Sequence, residues 1–140
     1  MVDQNTQPDA LLTEEGMSDR IASRSLELSN AISRLHKQFV GRGPMNSRIT
    51  IDGDLVVCLL EGGFTVAEQT LGENDKRELV IAGRVGLQDS MRQAMIAAVE
   101  EITGRRVRSF MSANDLEHNF QTEIFVLFSE GADYESPLDI

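Results

Sequence analysis

The 140-residue chain has no tryptophan, one tyrosine, one cysteine and three prolines, and aromatic residues make up only 5% of it. So few rings argue against a stacking platform for bases or sugars. One cysteine rules out an internal disulfide. Cys58 sits inside the aliphatic run LVVCLL and reads as a small core residue rather than a redox centre. The longest apolar run, Leu55 to Leu60, is far too short to cross a bilayer. The N-terminal stretch MVDQNTQPDALLTEEG has neither a basic start nor a sustained apolar segment, so it does not read as a secretory leader. The expectation is a cytoplasmic protein without membrane insertion. Its 41% hydrophobic content is enough for one folded domain with a real core.

The net charge of −10 is unevenly placed. Residues 1–18 carry −4 and no base, residues 129–140 carry another −4 and no base, and the segment between them nets only −2. The expected organisation is an acidic tail over 1–18, one α+β domain over 19–128 and a second acidic tail over 129–140. Both tails read as solvating, disordered ends, with masking of an Arg-rich face as the sharper alternative. Eleven of the thirteen bases are arginine, which suits fixed pairing with carboxylates or anions.

Along the chain, Ile21, Leu28, Ile32, Leu35 and Phe39 recur at helical spacing, with Ser18 as the expected N-cap and Gly41 as the stop. SRITIDGDLVVCLLE reads as a hairpin turned at Asp52-Gly53. Thr65 and Glu68 stand at capping-box spacing ahead of a short helix, a reading preferred to Glu68 as a catalytic acid. Asn74 is the expected cap of a helix over 76–103, with a kink or break near Gly83 and Gly86 and an end at Gly104. RVRSFMS and NFQTEIFVLF form a second hairpin around the polar turn ANDLEH. In its last strand Phe120, Ile124, Val126 and Phe128 face one way, and Gln121, Glu123 and Phe125 the other. The expected fold is α+β: two β-hairpins forming a four-stranded antiparallel sheet covered on one face by helices.

The segments ISRLHKQFVGRGP, DGDLVVCLLEGGFTVAEQTL and VEEITGRRVRSFMS together resemble the MpsC-like family over roughly residues 27–128. The positions that carry the resemblance are Leu35, His36, Lys37, Gly41, Arg42, Gly43, Pro44, Thr65, Glu68, Thr103, Gly104 and Arg105. The last turn departs from the family pattern, having His118 and no proline. The resemblance implies a cytoplasmic accessory component, peripheral to the membrane, linked to ion or bicarbonate transport. Its expected partner is a membrane transport protein, and it brings no catalytic residues.

Two places stand out as candidate anion or partner contacts. The first is the junction of His36, Lys37, Arg42 and Gly43, where turn amides and cations would form a nest, although the negative end of a helix opposes an anion there. The second is the group Arg105, Arg106 and Arg108 after the late helix. If the two converged they would make one Arg-rich pocket. The bland reading of Gly41-Arg42-Gly43-Pro44 is a helix stop followed by a tight bend. The near-neutral core and acidic tails disfavour nucleic acid as a partner. Asp115, Glu117 and His118 have the look of a polar turn rather than a metal site, and no cofactor, metal or catalytic residue is expected. The resulting expectation is a non-enzymatic binding protein, homodimeric because the open sheet face must be hidden. The alternative is a small-anion sensor or enzyme using the Arg-rich turns.

Overall fold

A computed structural model describes residues 14–129. Three helices and four strands follow in the order α1 (Glu14–Val40), β1 (Asn46–Asp52), β2 (Leu55–Glu61), α2 (Val66–Glu73), α3 (Arg77–Thr103), β3 (Val107–Asp115) and β4 (Phe120–Leu127). The strands make one antiparallel sheet in the order β1-β2-β4-β3, which is the expected α+β architecture. Residues 1–13 and 130–140, which hold most of both acidic tails, lie outside the described residues.

The first hairpin turns at Gly53, whose φ of +57° is open to glycine at little cost. It aligns Ile49 with Cys58 and Ile51 with Val56. The second hairpin aligns Phe110 with Phe125, their rings 4.9 Å apart. Pairing of β2 with β4 joins the hairpins and sets Cys58 opposite Glu123. α1 lies over β1, α3 lies over β3, and the two helices pack on each other. Leu28 and Ile32 of α1, Met91, Met95 and Val99 of α3, and Val56, Leu60 and Phe125 of the sheet make the core between them. Burying each such side chain is worth ~1.5–3 kcal/mol.

Several local expectations change. Ser18 is not an N-cap: the helix already runs from Glu14, with acids in its first turn where the helix dipole favours them. Asn74 closes α2 instead of opening α3, its side chain donating to the Thr70 carbonyl. Gly83 and Gly86 cause no break, and α3 is continuous over 27 residues. Both glycines lie on its exposed side, where their cost is propensity rather than lost packing. β3 continues to Asp115, so the polar turn is shorter than expected.

Other features stand as expected. Thr65 and Glu68 form a complete capping box. Gly41 (φ +90°) and Gly104 (φ +69°) both take the left-handed conformation that ends their helices.

Candidate functional site

Alternation along β4 places Gln121, Glu123, Phe125 and Leu127 beneath the helices. A carboxylate is therefore fully buried at the centre of the covered face. Three other elements reach it. His36 of α1 brings Nε2 to 3.3 Å from the Glu123 carboxylate. Ser112 of β3 donates its hydroxyl to the other carboxylate oxygen. Gln88 of α3 approaches at 3.4 Å and exchanges amide hydrogen bonds of 3.2 and 3.1 Å with Asn114.

His36 Nδ1 lies 2.9 Å from the Ile32 carbonyl. A carbonyl only accepts, so Nδ1 carries a proton. Nε2 then faces the Glu123 carboxylate. The contact is close enough for an ion pair but lacks hydrogen-bond alignment. Charge on Glu123 also acts on its strand neighbour. Burial, and then that charge, push the Cys58 thiol up to about 12.

A second buried cluster lies where β2 gives way to α2. The Arg84 guanidinium, 1% exposed, donates to both Glu68 oxygens at 2.7 and 2.9 Å and to the Gly63 carbonyl. It also lies 4.6 Å from the centre of the Phe64 ring. Burial works to raise the Glu68 pKa, but hydrogen bonds from Arg84 and from the Thr65 backbone, with the Arg84 charge, hold it below the ordinary value. The Phe64 amide donates to Asn119 Oδ1 in the β3–β4 turn, which fixes the elbow. A Cβ on Gly63 would stand 2.4 Å from Gln121 Oε1, so the end of the Gln121 side chain would have to move.

The six sequence-derived candidates do not form one pocket. His36 points inward and is 1% exposed, because it stands four residues after Ile32 on the core side of α1. It is therefore not a donor at the turn. Lys37 is exposed beside the half-buried Arg42 and Gly43, and a Cβ on Gly43 would lie 3.7 Å from that of Lys37. Arg105 lies at the other end of β1. It donates to the carbonyls of Gly53 and Phe128 and pairs with Asp54. Thr103 accepts from the Arg105 amide, so Thr103-Gly104-Arg105 pins the end of α3 to the first hairpin and to the end of β4. Arg106 is exposed on that same side. β1 separates the two basic groups by roughly 20 Å.

His118 pairs with Asp115 within the β3–β4 turn at 2.9 Å. Its hydrogen bond is the main cause that lowers the Asp115 pKa. No cluster of three metal-binding side chains occurs among the described residues.

Sequence reasoning missed Arg84 and Gln88, although their spacing gave them away. Val80, Arg84, Gln88, Met91, Met95 and Val99 form one buried stripe of α3, and counting apolar residues alone skips its two polar members.

The opposite face of the sheet has an apolar patch on its central strands and carries none of the described helices. Leu55 and Met111 are 39% and 49% exposed, and Val57, Leu59, Ile124 and Val126 are half-buried around them. No described helix is long and apolar enough to cross a membrane. The molecule thus defines a class: a small α+β domain with a polar cluster sealed under its helices and an apolar sheet face left open. Residues 22–129 match the family described as the Na+-translocating membrane potential-generating system (MpsC), and the chain belongs to that family. Two relatives come from Bacillus subtilis (strain 168). The uncharacterized protein YbcI is 30% identical over 111 residues, covering 68% of this chain and 90% of its own. The uncharacterized protein YrhF is 28% identical over 102 residues, covering 71% and 84%. No solved structure matches.

Proposed function

We propose that the chain is a non-enzymatic accessory subunit of a membrane ion-transport system, held at the cytoplasmic face by protein contacts. The observation that carries this reading is the open sheet face, taken with the family's link to a Na+-translocating system. Val57, Leu59, Ile124 and Val126 lie on two adjacent central strands and form a contiguous apolar surface. Monomeric soluble proteins rarely leave such a patch uncovered unless it binds something. The occupant proposed here is a cytoplasmic segment of the transport subunit. Lys37, Arg42 and Arg106, at the two ends of the domain, are its cationic contacts with an acidic partner surface. His36 and Arg105 serve the fold in this reading, each committed to internal partners.

The test is a pull-down with the tagged full chain from gently solubilised native cells, repeated with Val57→Lys. Stoichiometric recovery of a membrane cation-transport subunit by the unaltered chain, lost with Val57→Lys, is the expected result. Recovery that is indifferent to Val57→Lys would overturn the sheet face as the contact. Recovery of the chain alone would overturn the accessory role.

A further inference from the structure

α1 is longer than the body it packs on. Its first residue buried in the core is Leu28, and the residues from Glu14 to Leu26 are mostly exposed. At 1.5 Å per residue they project about 20 Å. The projection is amphipathic. Met17 and Ile21, 51% and 43% exposed, stand two heptads before Ala31 and Leu35, and so continue the same face of the helix.

Beside that face lies a groove of about 610 Å³ between α1 and α3, with Ala31, Leu35, Ala98 and Ile102 in its lining. It extends along α1 from Glu27 to Gln38, about 17 Å of helix. The two features therefore agree in length: an apolar helix face with no partner among the described residues, and a groove between two helices with an alanine-rich apolar floor and a polar rim.

Their charges agree in direction as well. From tip to base the projection passes from Glu14 and Glu15, through Asp19, to Arg20 and Arg24. The groove has Glu27 and Glu101 at the end nearer the projection, and Arg34 on α1 towards its far end. An antiparallel seating brings Arg24 towards the acidic end and the acidic tip towards Arg34. In that register Met17 falls opposite Leu35, and Ile21 opposite Ala31. A chain cannot fold its own straight helix back into its own groove, but a second copy supplies the segment in the required orientation.

We infer that the chain forms a reciprocal dimer in which the projecting half of α1 from each copy lies in the α1–α3 groove of the other. The interface is isologous, each copy giving the same helix and the same groove. It places self-association on the helical side rather than on the open sheet face, which stays available to another partner. The inference is independent of the transport reading, since it concerns only copies of this chain.

Light scattering on the full-length chain during size-exclusion chromatography tests it. The expected mass is twice the 15.5 kDa of the chain. Met17→Glu/Ile21→Glu, which alters only exposed positions, should give a single-chain mass while the chain stays folded by circular dichroism. Ala98→Arg in the groove should do the same. Mixing these two variants should restore a weaker dimer, because each retains the half that the other has lost. Leu26→Glu is the control. Leu26 is 63% exposed but stands nine residues from Met17, two and a half turns, and so on the opposite side. It should leave the dimer intact. A single-chain mass for the unaltered protein, a dimer that survives the double substitution, or dissociation by Leu26→Glu would each overturn the inference. A dimer lost only with Val57→Lys would transfer self-association to the sheet.

Discussion

Each face of the sheet departs from a simple division: the covered face holds two polar side chains inside an apolar core, and the other carries an apolar patch on its central strands. Beneath the helices lie Glu123 and Gln121, 0% and 1% exposed, among Val56, Leu60 and Phe125. On the uncovered side lie Val57, Leu59, Ile124 and Val126. Polar groups under cover need partners, because an unsatisfied buried one costs ~1–3 kcal/mol. Here His36, Ser112 and Gln88 supply them for Glu123. Apolar groups in the open need a surface to meet. The covered face therefore accounts for how the protein holds together, and the open face for what it can engage.

The sharpest way to break the covered side is Arg84→Met. It strips Glu68 and the Gly63 carbonyl of their donor, and loss of one member of a buried pair should cost about 3 kcal/mol, read as a lowered urea midpoint at unchanged slope.

Glu123→Gln comes next. It leaves His36 Nε2 against a neutral amide and should cost about 2 kcal/mol. In a double-mutant cycle with His36→Leu, the pair should show a coupling of ~1 kcal/mol. Additive losses would mean that the two side chains act separately.

Gly63→Ala should cost about 1–2 kcal/mol through overpacking against Gln121. Adding Gln121→Ala to it should recover most of that loss in the same denaturation assay.

A smaller effect is a matter of pH. The folded pKa of Glu68 is lowered, so its contribution is complete above the ordinary glutamate range, about pH 4.3, and is lost as pH falls through the lower folded value. Glu68→Gln should therefore flatten the acid limb of the stability profile as well as lowering the plateau.

The smallest effect belongs to the open face. Val57→Lys should move stability by no more than about 0.5 kcal/mol, while abolishing recovery of a partner. A large stability loss would mean that this face is packed in the isolated chain.

How legible each region was depended on the range of the forces that made it. The strands, both hairpins, the capping box and the glycine stops follow from periodicity and local backbone chemistry. Residues a few places apart decide them, so they could be read directly. The order β1-β2-β4-β3 puts the last strand beside the second, a pairing between residues 59 to 71 positions apart, and no local pattern encodes it. Where the candidate contact residues lie relative to one another was hidden for the same reason. Lys37 and Gly43 are neighbours in the chain and in space, but Arg105 joins the far end of β1 through Gly53 and Asp54. Its place in a Thr-Gly-Arg motif reflects a junction being pinned.

The sequence by itself determined the elements, the two faces of each strand and the side of α1 on which His36 stands. Side-chain periodicity follows from backbone geometry and needs no tertiary contact. Only the tertiary structure decided which face of β4 the helices would cover. Either face offers apolar residues to bury, and the choice is made where His36, Gln88, Ser112 and Asn114 converge from three other elements to satisfy Glu123 and one another. Burying the carboxylate is tolerable only where those partners arrive together, and that is a property of the assembled layers.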